Sequence, residues 1–271
     1  MNKDSRKVAI VTGGARGLGR AMTLGLSNAD IDVAALDLPE SSQALSEVAA
    51  QARHSGGGSV EPIHADVTQL EGCAAAIEAV LKRFGRIDIL VNNAGINEAG
   101  VHMARAVSGT RMPRFYELEH DYWVRLIETN LNGAFRMAKL VAPHMVARAW
   151  GRIVNVTTTY QTMVGSGFSP YGPSKAALEA ASAIWAKELA GTGVTVNVLI
   201  PGGAADTRLV PVGLAGDRSK LVAPEKMVPP LLWIVSSADN ITGRRYIANL
   251  WDDRMPPDRA AEAASAPAAW Q

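Results

Sequence analysis

The sequence is short of several features, and each shortage excludes a class of protein. Its single cysteine, Cys73, cannot form an internal disulfide and is typical of a reducing compartment. Lysine and arginine number 27 against 26 for aspartate and glutamate, and this net charge of +1 predicts neither nucleic acid nor an anionic membrane as a partner. The five histidines are scattered, and without HExxH or CxxC patterns they predict no metal site.

Long hydrophobic runs are also missing. No apolar run approaches the roughly 20 residues that cross a bilayer as a helix. The charged start MNKDSRK does not have the pattern of a signal peptide. Apolar residues nevertheless make up 48% of the 271 residues, which is enough for a large core. We expect a globular, cytoplasmic protein.

Short apolar runs alternate with helix-like segments along the chain. Several runs are apolar at almost every position, as strands covered on both faces are. The runs cover 8–13, 33–38, 60–67, 87–95, 151–157, 194–202 and 244–250. The helix-like segments cover 17–29, 40–54, 69–85, 119–148, 171–190 and 224–238. This alternation predicts right-handed βαβ crossovers and an α/β fold with a doubly wound parallel sheet of about seven strands and helices on both faces.

Three segments lie outside this alternation. The last residues, 254–271, are rich in alanine and proline, and we expect them to form a tail outside the core of a domain that covers 1–253. The connections 96–118 and 203–223 have no strong pattern. Connections of that length in a compact domain are usually functional or disordered.

A glycine-rich loop, TGGARGLG at 12–19, follows the first run and opens the first helix. Gly13, Gly17 and Gly19 allow a tight turn and a close approach of the backbone to a pyrophosphate at the helix N-terminus. A plain strand–turn–helix corner would explain a glycine triplet alone. The position in the first βα unit is the one that dinucleotide binding requires.

Acidic residues at the ends of the next two strands predict how the cofactor is selected. Asp37 can accept both ribose hydroxyls of NAD and would repel the 2′-phosphate of NADP, although Arg16 in the glycine loop could meet that phosphate. We give Asp37 more weight than Arg16, because a carboxylate that faces a phosphate rejects the wrong cofactor. The alternative is that Asp37 only stabilises a turn or caps a helix. Asp66 either accepts from the adenine amino group or caps the helix that starts near Gln69.

Further motifs follow the glycine loop along the chain. They are ADV at 65–67, NNAG at 92–95, TNL at 129–131, YGPSK at 171–175 and PGG at 201–203. In this order and spacing the chain resembles the short-chain dehydrogenases/reductases over about residues 7–250. The resemblance implies a single Rossmann-type domain, a nicotinamide cofactor and hydride transfer to or from a carbon that bears oxygen. It also implies a homo-oligomer, with a tetramer favoured.

The resemblance assigns four catalytic positions, an asparagine, a serine, a tyrosine and a lysine, to Asn130, Thr158, Tyr171 and Lys175. Tyr171 would be the general acid/base, Lys175 would lower its pKa and hold ribose, and Thr158 would polarise the substrate oxygen. Asn130 would support a water relay; alternatively it is a buried polar group satisfied by backbone. The predicted cofactor-binding residues are Thr12, Gly13, Arg16, Gly17, Leu18, Gly19, Asp37, Asp66, Val67, Asn93, Ala94, Gly95, Tyr171, Lys175, Pro201, Gly202 and Thr207.

The spacing of Tyr171 and Lys175 suits proton transfer, because residues four apart on a helix share a face. A tyrosine with an ordinary pKa near 10 needs a shift of about three units, or ~4 kcal/mol, to work at neutral pH. A positive charge about 4 Å away contributes roughly that much at an effective dielectric near 20. The alternative is a tyrosine and a lysine on an ordinary surface helix.

Three consecutive threonines compete for the serine position. The family's spacing before the tyrosine selects Thr158. Side chains alternate along a strand, so Thr157 and Thr159 should point elsewhere, although Thr159 remains open if the register shifts by one. Threonine carries the same donor and acceptor as serine, and its methyl group predicts a narrower pocket.

The chain departs from the family in three other places. The stretch after NNAG is about ten residues longer, one extra residue separates Pro201–Gly202 from Thr207, and Leu250-Trp251-Asp252 replaces the usual Gly-Gly. These departures concern substrate and assembly. We expect the pocket for a small alcohol or ketone to be bounded by the two long connections and by Thr158, Tyr160, Gln161 and Met163.

Several alternatives stay open from sequence. Arg105, Arg111 and Arg114 in the longer stretch suit an anionic substrate or form a solvated basic loop. The protein is an NAD-preferring alcohol dehydrogenase or ketone reductase, a catalytically silent nicotinamide-binding regulator, or an epimerase or dehydratase on the same fold. The apolar helices at 119–148 and 171–190 are the predicted subunit interface.

Overall fold

Parallel strands form the centre of the computed structural model, which describes residues 6–97, 113–210 and 217–269. The strands are β1 Val8–Thr12, β2 Asp32–Asp37, β3 Val60–His64, β4 Ile89–Asn92, β5 Gly151–Val156, β6 Val194–Ile200, β7 Arg244–Ile247 and β8 Ser265–Pro267. Their order is β3-β2-β1-β4-β5-β6-β7-β8. Strands β1 to β7 are parallel, and β8 is antiparallel to β7. The predicted doubly wound sheet is confirmed, with eight strands instead of about seven.

Helices connect the strands. They are α1 Gly17–Asn28, α2 Ser42–Ser55, α3 Leu70–Phe84, α4 His120–Ile127, α5 Gly133–Ala147, α6 Tyr160–Met163, α7 Tyr171–Glu188, α8 Val228–Ser236 and α9 Pro257–Ala263. A π-helical turn, Glu128–Asn132, joins α4 to α5, so the helix predicted over 119–148 is two helices around this turn. In the part of the chain that the structure describes, no helix is long and apolar enough to cross a membrane.

Two apolar clusters hold the helices against opposite faces of the sheet. The first joins α1, α2, α8 and α9 to one face and includes Met22, Val33, Leu45, Leu231 and Ala260. The second joins α3, α5 and α7 to the other face and includes Ile10, Ile77, Met137, Ala186 and Val196. Because β1 is covered on both faces and fully buried, its sequence VAIVT is almost continuously apolar.

The strand order opens a crevice at the carboxyl edge of the sheet. From β1 the sheet continues through β2 and β3 on one side and through β4 and β5 on the other. The chain therefore leaves β1 and β4 in opposite directions, and the loops that follow these strands separate. Ligands of open α/β sheets bind at such a reversal point, and the glycine loop and the NNAG segment both lie there.

The described part of the C-terminal segment 254–271 belongs to the core, so the expectation that it lies outside is wrong. Its helix α9 buries Ala260 and Ala261, and β8 extends the sheet. Ala264 and Ala268 are also buried. The alanines that make the segment look featureless are what allows it to approach the sheet closely. Trp270 lies outside the described residues.

Most of the connection 96–118 also lies outside the described residues, including Arg105 and Arg111. Arg114 is described and exposed. Its backbone N–H donates to Glu117 Oε2 (2.7 Å), and its guanidinium donates to the Tyr116 hydroxyl (2.7 Å). The guanidinium of Arg114 is therefore engaged within its own loop.

Candidate active site

The glycine loop is fastened to the NNAG segment by hydrogen bonds. The Thr12 hydroxyl oxygen accepts from the backbone N–H groups of Asn93 and Ala94, both at 3.0 Å. The Asn93 amide donates to the carbonyls of Thr12 (2.9 Å) and Gly13 (3.1 Å). Thr12 is buried. This predicted cofactor residue therefore holds the glycine loop in place and does not itself line the cleft.

The N-terminus of α1 is shaped to receive an anion. Its first turn has no acidic residue, and Arg16 at the N-cap makes no side-chain capping bond. Gly13 and Gly17 have left-handed φ angles of 65° and 52°, which glycine adopts without strain. A Cβ on Gly19 would clash with the Gly13 carbonyl. Backbone N–H groups and the helix dipole therefore face the cleft without intervening side chains, as a pyrophosphate requires.

Asp37 lies beside this loop at the end of β2, with its carboxylate held by backbone. Oδ2 accepts from the N–H of Ala15 (3.1 Å) and Oδ1 from the N–H of Leu38 (2.9 Å). The Arg16 guanidinium donates to the hydroxyl of Ser41 at 3.4 Å on the same side. The acidic group and the basic group that would select between ribose hydroxyls and a 2′-phosphate thus lie at one end of the cleft.

Asp66 closes a short turn. Its Oδ1 accepts from the backbone N–H of Thr68 (2.8 Å), whereas α3 has Gln69 at its N-cap and no side-chain capping bond. The carboxylate therefore does not cap the helix, which was one of the two alternatives. With Val67 it lines the cleft on the β3 side.

The segment after β6 lies over the glycine loop. A Cβ on Gly17 would lie 3.0 Å from Thr207 Cγ2, so the two chains are in close approach. Pro201 and Thr207 line the cleft. Gly202 does not line the cleft, and a Cβ built on it would meet the side chain of Ile247. An ion pair between Arg218 and Asp206 holds this segment to itself.

Helix α7 brings Tyr171 and Lys175 to the end of β5. Lys175 is buried, and its Nζ donates to the carbonyl of Val156 at 2.8 Å. Tyr171 lies one turn earlier on the same face, next to the side chain of Thr158. The structure therefore brings the predicted tyrosine, lysine and threonine together.

The three consecutive threonines have three different partners. Thr157 is buried and donates to Glu179 Oε2 (2.9 Å). Thr158 meets Tyr171. The Thr159 hydroxyl caps α6 by accepting from the backbone N–H of Thr162 (3.4 Å). Because only the middle one of the three hydroxyls reaches the tyrosine, this geometry favours Thr158 over Thr159.

Burial controls the protonation of the tyrosine and the lysine. It raises the pKa of Tyr171 to about 12, and the hydrogen bond with Thr158 lowers it by a smaller amount. Burial also lowers the pKa of Lys175 to about 8. The expected lowering of the pKa of Tyr171 toward neutrality by Lys175 is therefore not what the structure shows. The reason for the difference is that both groups are withdrawn from water, which disfavours the charged form of each.

Asn130 lies in the π-helical turn and is buried. Its amide donates to the carbonyl of Ile96 (3.0 Å) and to Ser174 Oγ (3.3 Å), while its Oδ1 accepts from the N–H of Ile96 (2.8 Å). These bonds satisfy the side chain largely with backbone, which was the alternative reading. A Cβ on Gly95 would lie 3.2 Å from Asn130 Oδ1 and 3.5 Å from Lys175 Nζ, so both side chains lie next to Gly95.

Most of the predicted cofactor residues line one continuous cleft, which runs from Asp37 to Tyr171. On the substrate side the outcome is different. Thr158 lines the cleft, but Tyr160, Gln161 and Met163 do not. The other residues of this stretch that line the cleft are Thr159, Thr162 and Phe168. Helix α6 starts at Tyr160, and this turn changes which side chains face inward; the Thr159 cap with a bond to residue 162 is the sequence signal for it.

Comparison with known proteins agrees with this geometry. A family model described as short chain dehydrogenase matches residues 7–212. The chain belongs to the short-chain dehydrogenase family. It is 31% identical over 253 residues to 3-oxoacyl-acyl-carrier-protein reductase FabG of Thermotoga maritima, covering 88% of this chain and 94% of that protein. It is 32% identical over 253 residues to acetoacetyl-CoA reductase of Shinella zoogloeoides, covering 90% and 97%.

Solved structures of the family have the same fold. The chain superimposes on an actinorhodin polyketide ketoreductase with NADPH at a TM-score of 0.76 and 26% sequence identity, covering 89% of this chain and 94% of that one. As a member of the family, the chain is an oxidoreductase with a nicotinamide dinucleotide site.

The partners of the threonines predict different outcomes for substitution by valine, which keeps the shape and removes the hydroxyl. Thr158→Val should lose roughly 2–4 kcal/mol of transition-state stabilisation, the scale of one donor to a developing oxyanion. Thr159→Val removes the cap of α6 and the contact with the Thr162 hydroxyl (3.0 Å), and because neither involves Tyr171 it should change kcat/KM much less. Steady-state kinetics of both variants measure this. A large loss in Thr159→Val with a small one in Thr158→Val would shift the assignment by one residue.

Proposed function

We propose that the protein is an NAD-dependent oxidoreductase that interconverts a secondary alcohol and a ketone. The observation that carries the proposal is that Thr158, Tyr171 and Lys175 meet at one end of a cleft whose other end is the glycine loop. When bound, the nicotinamide ring supplies the hydride acceptor or donor. The chain's own residues must then bind the substrate oxygen and move one proton.

Tyr171 is the proposed group that moves the proton. In reduction its hydroxyl gives a proton to the ketone oxygen as hydride reaches the carbonyl carbon, which yields the alcohol and a phenolate. Lys175 stabilises that phenolate by its positive charge, and Thr158 donates to the substrate oxygen as negative charge develops on it. Oxidation of the alcohol is the same sequence in reverse.

The direction of the pKa shift favours reduction near neutral pH. A tyrosine with a pKa of about 12 is protonated at pH 7 and is ready to donate to a ketone. Oxidation needs the phenolate, so it requires a higher pH or added positive charge near the hydroxyl, which oxidised nicotinamide would supply when bound. The names of the two relatives, a 3-oxoacyl reductase and an acetoacetyl-CoA reductase, support a ketone substrate.

NAD is proposed as the cofactor because of Asp37. Two backbone N–H groups orient its carboxylate beside the glycine loop, where ribose hydroxyls would be its partners and a 2′-phosphate would be repelled. The similar polyketide ketoreductase was solved with NADPH, and Arg16 is the group here that would favour a phosphate. The carboxylate outweighs it, because NADP would lose a charge-assisted hydrogen bond that Arg16 cannot replace.

Two rival functions are weaker. A silent nicotinamide-binding regulator has no need of a tyrosine, a lysine and a hydroxyl donor on the same cleft wall, yet all three are present. Epimerisation or dehydration on this fold would leave a product other than the simple alcohol or ketone, so product analysis separates it from the proposal. The cytoplasmic location inferred from composition stays a prediction.

A substrate panel tests the function. Ketones and 3-oxo thioesters with NADH, and secondary alcohols with NAD, should give turnover at the nicotinamide absorbance. Tyr171→Phe keeps the ring and removes the acid, so we expect almost complete loss of turnover with little change in the Kd of NAD. Retention of more than about a tenth of kcat would reject Tyr171, and stabilisation by NAD with no turnover on the whole panel would favour the regulator.

Cofactor choice gives a second test. Wild type should prefer NAD by at least about a hundredfold in kcat/KM, which is ~2.7 kcal/mol. Asp37→Ala removes attraction and repulsion together, so the ratio should fall toward one, with Arg16 then favouring NADP. Asp37→Asn keeps the shape of the side chain and an acceptor for one of the two backbone N–H groups, so it tests how much of the effect comes from damage to the loop.

The double variant Asp37→Ala, Arg16→Ala should lose the increase in kcat/KM with NADP that Asp37→Ala shows, because Arg16 is then absent. Equal use of both cofactors by wild type would instead show that Asp37 does not meet the ribose.

We also propose a homo-oligomer, with a tetramer favoured. Apolar side chains remain exposed on α4, α5 and α7, including Trp123, Phe135 and Ile184 at 40%, 49% and 54% exposure, and such a group of neighbouring helices is typical of an interface. Light scattering at micromolar concentration should show a species larger than a monomer. Phe135→Glu with Ile184→Glu should reduce its mass, whereas Leu70→Glu on α3 should not; a monomeric wild type would refute the proposal.

A further inference from the structure

A buried ion pair lies next to the turn after β5 that carries Thr158, on the side away from the cleft. Glu179 is fully buried on α7, and its Oε1 lies 3.4 Å from Nη1 of Arg245 on β7, whose side chain is 11% exposed. Neither residue is among those that line the cleft. Such a pair adds little net stability compared with apolar residues of the same volume, because desolvation costs about as much as the attraction returns. Stability alone therefore does not explain why this ion pair is present.

The pair holds the backbone and side chain of the turn that carries Thr158. Arg245 Nη2 donates to the carbonyl of Thr158 at 2.8 Å. Glu179 Oε2 accepts from the hydroxyl of Thr157 at 2.9 Å. With the bond from Lys175 to the carbonyl of Val156 (2.8 Å), three consecutive residues at the end of β5 are each fixed by a different charged side chain.

Helix α7 presents these groups in one stripe. Tyr171, Lys175 and Glu179 are four residues apart, so their side chains lie on one face. The stripe meets Thr158, the carbonyl of Val156 and the hydroxyl of Thr157 in turn. The first two members are the proposed catalytic residues; the third reaches the same turn from the side away from the cleft.

We propose that Glu179 and Arg245 are positioning residues, which set the orientation of Thr158 and thereby keep its hydroxyl on Tyr171. Arg245 anchors the carbonyl of Thr158. Glu179 orients Arg245 and also holds Thr157, the residue before Thr158. The inference rests on the proposed function for its catalytic consequence. The geometric consequence, the contact between the two hydroxyls, stands apart from turnover.

Four variants separate positioning from simple stabilisation. Arg245→Met keeps most of the volume and removes the donor to the Thr158 carbonyl. Glu179→Gln keeps an acceptor for Thr157 and leaves Arg245 without its counter-charge. The double variant removes both charges. Arg244→Met is the matched control, since the Arg244 guanidinium binds Ser265 Oγ at 2.9 Å on the neighbouring strand.

The expected results differ between stability and turnover. Each single variant should lower Tm, because it leaves one buried charge unpaired, and the double variant should recover much of that loss. Turnover should fall about 10- to 100-fold in Arg245→Met, the size of effect that a misplaced catalytic group produces. It should stay equally low in the double variant, while the Kd of NAD and the activity of Arg244→Met stay near wild type.

The proposal would be overturned if the double variant recovers turnover to within twofold of wild type together with its Tm. The ion pair would then have a structural role only. The double variant decides this even if a single variant fails to fold.

A second measurement does not depend on turnover. The 13Cζ chemical shift of Tyr171 reports the hydrogen bonding of its hydroxyl, and Tyr171→Phe assigns the signal among the five tyrosines. Arg245→Met and the double variant should move this shift toward its value in Thr158→Val, and Arg244→Met should not. An unchanged shift would reject positioning even if the enzyme is active. A wild type without turnover on the panel would reject the proposed function, and the shift would still decide the positioning.

Discussion

The hydrogen bond from Lys175 Nζ to the carbonyl of Val156 is the contact on which the site depends. It fixes α7 against the carboxyl end of β5, where the chain leaves the sheet and its backbone groups need partners other than the ladder. With the lysine in place, the residue one turn earlier must face Thr158, and the residue one turn later must face Thr157. A single register between one helix and one strand end thus sets the acid, the donor and their support.

The same burial that fixes this register sets the electrostatics. Withdrawal from water raises the pKa of Tyr171 to about 12 and lowers that of Lys175 to about 8. The site therefore holds a neutral acid beside a lysine that loses its proton more easily than a solvated one. Any charge that forms on Tyr171 develops where few waters can screen it, so that nearby charges act on it strongly.

The cofactor end of the cleft follows from topology. Strand order reverses between β1 and β4, and the gap that results is bridged by the bonds between Thr12 and the residues 93–94. These bonds join the glycine loop to the segment after β4. In turn, Gly95 packs against Asn130 and Lys175, so the support of the cofactor loop and that of the catalytic lysine form one contiguous structure.

The sequence by itself determined the alternation of strands and helices, the glycine loop at the first βα corner, and the pairing of Tyr171 with Lys175, because these depend on local periodicity and on motifs. Tertiary structure alone decided the rest. The C-terminal alanines look like a tail because alanine has no periodic pattern to read, yet they pack because a small side chain allows close approach to the sheet. Thr162 and Phe168 replace the predicted pocket residues because a short helix turns the chain. The pKa of Tyr171 and the contact of Glu179 with Arg245 depend on burial and on elements far apart in the chain, and local sequence carries no information about either.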